Sequence, residues 1–87
     1  MAYDIRISDD ARQSFSKLAK AIQQRVYDKL NEIATSEDPF RYVKRLKGVE
    51  LFSLRIGGYR VIMDIKRKEL IILVVRVGPR KSVYDKL

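Results

Sequence analysis

The sequence predicts an α+β fold in which two N-terminal helices pack on one face of an antiparallel sheet, in the order β-α-α-β-β-β. Two observations carry this prediction. Residues 3–35 hold a short alternating segment and two stretches of helical periodicity, and residues 51–77 hold three apolar runs separated by short turns. The 87 residues of the chain form a single domain, 1–87, because a chain of this length has no room for a second core.

The first half of the chain predicts one strand and two helices. Residues 3–7 alternate apolar and polar side chains, as a half-buried strand does. Ser8, followed by two aspartates, is a typical helix start, and the first helix is predicted over residues 9–18. A second helix is predicted over residues 20–35 and ends before Pro39. Its apolar stripe faces the core and consists of Ile22, Val26, Leu30, Ile33 and Ala34.

The second half begins with a basic connector, residues 40–48, and continues as a hairpin. The connector contains four cations and no acid. Residues 51–56 and 59–66 are predicted strands, and Gly57-Gly58 between them is a two-residue turn in which both positions can take positive φ.

A third strand of this half is predicted over residues 70–77. It is almost entirely apolar, which is typical of a central strand covered on both faces or nearly so. The turn before it, residues 66–69, is interpreted as solvated, and residues 80–86 are predicted to add a short helix. The sheet face opposite the helices is expected to be partly open and to carry the cations.

The charge of the chain is concentrated in this second half. The net charge is +8, and residues 41–87 hold 13 Lys/Arg against 4 Asp/Glu, whereas residues 1–40 hold 6 against 7. Such an excess favours a polyanionic partner through counterion release and long-range steering. A basic surface that serves solubility alone and an acidic protein partner are the alternatives.

The absence of two residue types restricts the chemistry. The chain has no cysteine and no histidine, which excludes disulfides, thiolate metal sites and the commonest general base. The acidic pairs, Asp9-Asp10 and Glu37-Asp38, are interpreted as helix-end residues rather than metal ligands. No metal or cofactor is therefore predicted. No signal peptide or membrane span is found, so we expect a cytoplasmic protein.

Two arginine-centred segments, residues 54–62 and 76–84, are the candidates for function. If neighbouring strands carry them, several guanidinium groups converge on one spot that suits phosphate. RNA cleavage without a metal needs a proton acceptor, charge stabilisation, leaving-group protonation and in-line positioning. Arginine suits charge stabilisation, and a lysine or tyrosine near other cations suits proton transfer. The candidate catalytic residues are Arg55, Arg60, Arg80 and Tyr84. Each is also compatible with a solvated or packing role.

The same segments, preceded by Leu46-Lys47-Gly48, resemble the RelE/ParE toxin superfamily, and within it the RelE branch, over almost the whole chain. The resemblance implies the RelE-like microbial RNase fold. It also implies a toxin that enters the ribosomal A site, cuts messenger RNA by attack of the 2′-hydroxyl, and is neutralised by a RelB-like antitoxin. The expected partners are therefore the antitoxin, the ribosome and mRNA, with no membrane.

Some functional positions of the family are matched in this chain and others are not. The resemblance implies phosphate-charge stabilisation by Arg60, assistance to the leaving group by Arg80, and positioning of the cut nucleotide by Tyr84. Ser53 and Arg55 stand where lysines occur in the best-known member, so the proton acceptor is left open among Lys44, Lys47, Lys81 and Tyr84. The predicted RNA- or ribosome-binding residues are Lys44, Arg45, Lys47, Ser53, Arg76 and Lys81.

Two other functions remain open on the sequence. A ParE-like inhibitor of DNA gyrase would share the fold and need no nuclease residues. A non-catalytic RNA- or DNA-binding member would have lost its proton acceptor together with the lysines.

Overall fold

The computed structural model describes residues 2–79, and the helices and strands follow the predicted order. In chain order they are β1 (Asp4–Ile7), α1 (Asp9–Ser16), α2 (Lys20–Thr35), a 3₁₀ helix (Pro39–Tyr42), β2 (Lys44–Arg45), β3 (Phe52–Ile56), β4 (Tyr59–Lys66) and β5 (Ile71–Pro79). The α+β class is confirmed, as are the two helices and the three strands of the second half. The helix predicted over residues 80–86 lies outside the described residues.

The strands form one sheet in the order β1-β5-β4-β3-β2. The pairs among β2, β3, β4 and β5 are antiparallel, but β1 runs parallel to β5, with Asp4 opposite Ile71 and Ile7 opposite Val74. The prediction of an antiparallel sheet therefore needs one correction. Strands joined by short turns must be antiparallel, whereas β1 and β5 are separated by most of the chain and no turn fixes their relative direction.

A second correction concerns the basic connector, which contains regular structure. The Asp38 carboxylate accepts a hydrogen bond from the Phe40 amide at 3.1 Å and begins the 3₁₀ helix. Strand β2 then pairs with β3, placing Lys44 opposite Ser53 and Arg45 opposite Phe52. A strand of two residues is too short to show a period of two, so its pairing is visible only once β3 is placed.

The first helix begins as predicted and ends two residues earlier. The Ser8 hydroxyl oxygen accepts a hydrogen bond from the Ala11 amide at 3.2 Å, and the hydroxyl donates to the Val75 carbonyl of β5. After Ser16 the chain turns sharply into α2, which has no side-chain cap of its own. Instead, the Gln23 side-chain amide donates to the Leu18 carbonyl at 2.9 Å and holds the end of α1 against α2.

The core lies between the two helices and one face of the sheet. Its helical members are buried residues of the predicted stripe together with Ala11, and its strand members alternate along β3, β4 and β5. The strand members are Leu54, Ile56, Val61, Met63, Ile65, Ile72, Val74 and Val77. The central position of β5 is confirmed, because it lies between β1 and β4. Among the described residues, no helix is both long and apolar enough to cross a bilayer.

Candidate nucleic-acid interface

The second face of the sheet, which we define as the face opposite the two helices, carries two of the predicted arginines. Successive side chains of a strand point to opposite faces. Because Leu54 and Val61 belong to the core, Arg55 and Arg60 lie on the second face. This face is open only in part: Arg55 is exposed, whereas Ile62 is completely buried although it is outside the core cluster.

Arg55 and Arg60 are direct partners across the β3–β4 hairpin. The turn between the two strands is Gly57-Gly58, as predicted, but only Gly57 has a positive φ, of 59°. Positive φ at the first turn position alone is the pattern of a type II′ turn. The tight turn fixes the register and places two guanidinium groups on one face, with Cα atoms roughly 5 Å apart.

Like charges at directly opposed positions destabilise a sheet unless an anion lies between them. Between residues 2 and 79, the close ion pairs are Lys29–Glu32 at 3.3 Å and Lys66–Asp64 at 3.4 Å, so neither Arg55 nor Arg60 has a carboxylate partner there. Arg55 Nε donates only a long hydrogen bond, 3.4 Å, to the Gly57 carbonyl. Within the described residues, the pair is therefore free to bind an external anion.

Arg60 has the more distinctive environment. Its side chain is partly buried, and the Nε atom is buried with no hydrogen-bond partner in the described part of the chain. On β5 the residue opposite Arg60 is Gly78, so this position contributes no side chain to the second face beside Arg60. A buried donor without a partner is unfavourable by about 1–3 kcal/mol, and a phosphate oxygen would satisfy it with a charge-assisted hydrogen bond.

Lys44 adds a third cation to the second face. It lies directly opposite Ser53 on β2, so both residues point to the same side as Arg55 and Arg60. Ser53 is 4% exposed, whereas Lys44 is exposed. From the strand spacing and the rise per residue, the Cα atoms of Lys44 and Arg60 are roughly 12 Å apart, within reach of two long side chains that hold one phosphodiester segment.

Arg55 also borders a second surface. Because β2 pairs only with the first two residues of β3, the edge of β3 at Arg55 is not covered by β2. A groove of about 380 Å³ lies there beside α2, with Arg25, Asp28 and Glu32 among its lining residues. The charges of this groove are mixed, in contrast to those around Arg60.

Three other predicted binding residues lie apart from the arginine pair. Arg45 is opposite Phe52 and so points away from the second face, and Lys47 lies in the exposed loop after β2. Arg76 is opposite Ile62 in the register, but its side chain lines a groove along α1. No local pattern predicts this α1 neighbourhood, because Lys17 and Arg76 are far apart in the chain. Arg80, Lys81 and Tyr84 lie outside the described residues.

The described residues bring together Lys44, Ser53, Arg55 and Arg60, an arrangement suited to binding a phosphodiester. A family model described as the ParE toxin of the type II toxin–antitoxin system parDE matches residues 5–84. The chain belongs to this toxin family. Its similarity to a RelE-like toxin of Escherichia coli is 33% identity over 88 residues, covering 98% of this chain and 93% of that protein. The mRNA interferase toxin RelE of E. coli K12 is 27% identical over 90 residues, with the same coverage.

Solved structures of RelE proteins have the same fold. The toxin–antitoxin complex RelBE2 of Mycobacterium tuberculosis contains a chain that superposes with a TM-score of 0.82 at 26% identity, covering 92% of this chain and 93% of that one. The archaeal RelE–RelB complex of Pyrococcus horikoshii gives a TM-score of 0.77 at 25% identity, with coverage of 94% and 99%. The RelE/ParE resemblance predicted from the arginine segments is confirmed, and the chain is a RelE-like toxin of a toxin–antitoxin pair.

Proposed function

We propose that this toxin is a ribosome-dependent endoribonuclease that cuts mRNA in the ribosomal A site without a metal ion. The observation that carries the proposal is the Arg55–Arg60 pair on the second face, with a buried Arg60 Nε that has no partner in residues 2–79. The mRNA interferase activity named for a 27% identical relative supports the same reaction class.

In this reaction the 2′-oxygen attacks the adjacent phosphorus, the bond to the 5′-oxygen breaks, and the products carry a 2′,3′-cyclic phosphate and a 5′-hydroxyl. Negative charge develops on the non-bridging oxygens as the phosphorane forms. Arg60 donates hydrogen bonds to those oxygens, and Arg55 neutralises the same charge from the opposite strand. Arg80 protonates or stabilises the leaving oxygen, and Tyr84 positions the base of the cut nucleotide.

Lys44 takes the role of a substrate-positioning cation on β2. It holds a phosphate next to the cut bond, which fixes the 2′-oxygen in line with the leaving oxygen. Arg45 and Lys47 contact ribosomal or messenger RNA through the backbone phosphates, independently of sequence. The proton acceptor is Lys81 or Tyr84, since Lys44 is directed to a neighbouring phosphate.

An antitoxin of acidic character is the partner that we propose for the free toxin. The M. tuberculosis and P. horikoshii proteins of similar fold are described in complexes with their antitoxins. An acidic, partly helical chain that covers Lys44, Arg55 and Arg60 would neutralise the second face and exclude RNA from it. This inhibition requires no change in the toxin core.

Primer extension on a defined mRNA, with and without programmed ribosomes, tests the proposal. The wild-type chain is expected to cut at the A-site codon only when ribosomes are present, and Arg60→Ala and Arg80→Ala are each expected to reduce cutting about 100-fold or more. The matched control is Lys68→Ala, which removes an exposed cation in the β4–β5 turn. Cutting that continues at the wild-type rate in Arg60→Ala would overturn the proposed site.

The family description favours a second candidate function, because the matching model is that of a ParE toxin. A ParE-like chain would inhibit DNA gyrase by binding the enzyme and would need no phosphate at Arg60. Inhibition of gyrase supercoiling by the wild-type chain and by Arg60→Ala alike, without any mRNA cutting, would select this function. Binding to ribosomes without cutting would select a non-catalytic RNA-binding protein.

A further inference from the structure

A groove runs between α1 and the end of β5 and extends to Tyr59 at the start of β4. Its main part has a volume of about 410 Å³ and a continuation toward the start of α1 has about 230 Å³. Both parts share Ser14, Lys17 and Arg76, so they form one groove. Sites for small ligands commonly occupy about 300–1,000 Å³, which makes the main part large enough for one nucleotide.

The groove exists because β1 is shorter than β5. Strand β1 pairs with β5 only as far as Val74, after which Ser8 turns the chain into α1. The last part of β5 is therefore flanked by a helix instead of a strand. Since a helix is wider than a strand and packs less closely against the sheet edge, space is left between Lys17 and the backbone of Val77 and Gly78.

Two cations and one aromatic ring give the main part of the groove its chemistry. Neither Lys17 nor Arg76 forms an ion pair within residues 2–79. The acid that lines the groove is Asp10, which borders only the continuation. Tyr59 lies in the main part beside β5, where its ring can stack on a base.

The position of the groove next to Arg60 indicates which ligand it binds. Tyr59 immediately precedes Arg60, and Gly78 forms part of the groove lining while also lying opposite Arg60 in the β4–β5 register. The groove thus begins within roughly 5 Å of the Arg60 backbone. By the alternation along β4, the Tyr59 side chain lies on the helix face of the sheet, whereas Arg60 lies on the second face. A strand of RNA whose phosphate is held by Arg60 reaches the groove around the end of the sheet, where Tyr59 is paired with Pro79.

We infer that the groove between α1 and the end of β5 binds a nucleotide of single-stranded RNA next to the phosphate held by Arg60. Lys17 and Arg76 bind its phosphate, and Tyr59 stacks on its base. This assignment extends the proposed nuclease function, because it identifies a second nucleotide subsite on the same RNA strand. It also gives Arg76 a role separate from the Arg55–Arg60 pair.

Titration of the full chain with adenosine 5′-monophosphate, followed by ¹H–¹⁵N NMR, tests the inference without ribosomes or cleavage. Amide shifts are expected for Lys17, Tyr59, Val77 and Gly78, and Lys17→Glu is expected to weaken binding about tenfold, the loss typical of one charge-assisted hydrogen bond. The control variant, Lys68→Glu, has the same change in net charge at the opposite end of β5 and is expected to weaken binding at most about twofold.

Three outcomes would overturn the inference. The first is equal weakening by Lys17→Glu and Lys68→Glu, and the second is a set of shifts confined to Arg55 and Arg60. The third is equal affinity for inorganic phosphate and for adenosine 5′-monophosphate, because the groove would then bind only an anion and not a base. Loss of mRNA cutting in Arg60→Ala is measured separately, so a failed nuclease proposal and a failed groove assignment give different results.

Discussion

Arg55 and Arg60 lie directly opposite each other on neighbouring strands, joined by a turn of two glycines. Within residues 2–79 neither guanidinium has a carboxylate partner, and Arg60 Nε is buried without a hydrogen bond. Two unpaired like charges at opposed positions raise the free energy of the folded chain. An anion that bridges them removes this repulsion, so ligand binding and folding stability are coupled at this hairpin.

The first prediction concerns that coupling. For the ligand-free protein, Arg60→Ala is expected to leave the free energy of unfolding unchanged or to raise it by up to about 1 kcal/mol. The reason is that the change removes both the repulsion from Arg55 and the buried Nε donor without a partner. The same change is expected to reduce the stabilisation that added phosphate gives to the wild-type chain to the small part contributed by Lys17 and Arg76. Thermal unfolding with and without phosphate measures both effects.

Arg67→Ala is the control for this measurement. Arg67 contacts the Phe40 ring, with its guanidinium carbon 5.8 Å from the ring centre, on a different part of the surface. Its loss should leave phosphate-dependent stabilisation intact. Equal phosphate-dependent stabilisation in wild type and Arg60→Ala would refute the coupling.

The second prediction separates charge from proton transfer at Lys44. We expect Lys44→Ala to reduce ribosome-dependent cutting about 10- to 100-fold, because a phosphate neighbouring the cut bond loses its cation. Lys44→Arg is expected to restore cutting to within a few-fold of wild type, since a guanidinium also holds phosphate but is a very weak base. Single-turnover cutting rates across a range of pH give the comparison.

The exposed Lys20, at the start of α2, supplies the matched control as Lys20→Ala. Cutting should be unaffected by its loss. If Lys44→Arg were as defective as Lys44→Ala, Lys44 would be a proton acceptor and the positioning role would be wrong.

Much of the fold could be predicted because its signals are local. The start of α1 at Ser8, the bounds of α2 and the Gly57-Gly58 turn each depend on residues a few positions apart. The Arg55–Arg60 pairing follows from that turn once the register is set. These local signals therefore also predicted the centre of the candidate site.

The remaining features depend on contacts between distant parts of the chain. Three such features correspond to no periodic pattern in the sequence. They are the parallel β1–β5 pair, the register of Lys44 against Ser53, and the proximity of Arg76 to Lys17. Arg76 shows the consequence most clearly. Arg76 is among the residues predicted to bind RNA, but the length of β1 determines which cations lie beside it.

The third prediction tests the role of Ser8 in joining α1 to the sheet. Ser8→Ala removes the helix cap and the hydrogen bond to the Val75 carbonyl, and should lower the free energy of unfolding by about 1–2 kcal/mol. Ser16→Ala is the control, because its hydroxyl bonds only to the exposed Gln13 carbonyl within the same helix. Urea unfolding of the three proteins measures the difference, and equal stability of both variants would contradict the capping role.

The fourth prediction concerns the turn that sets the arginine register. Gly57→Ala places a side chain at a φ of 59° and is expected to lower the free energy of unfolding by about 1–2 kcal/mol. The effect is conformational and not steric, because the added Cβ would meet only the Arg25 guanidinium, 3.7 Å away. Gly58→Ala is the matched control: its φ is not positive and an added Cβ meets nothing within 4 Å, so a change below about 0.5 kcal/mol is expected.

The same two variants separate folding from RNA binding. If the turn acts only by fixing the Arg55–Arg60 register, Gly57→Ala should weaken phosphate binding at a temperature where the chain is still folded, whereas Gly58→Ala should not. Phosphate titration by NMR at low temperature measures this. Unchanged phosphate affinity in a folded but destabilised Gly57→Ala chain would mean that strand pairing beyond the turn, between Ser53 and Ile62 for example, is sufficient to hold the arginines opposite each other.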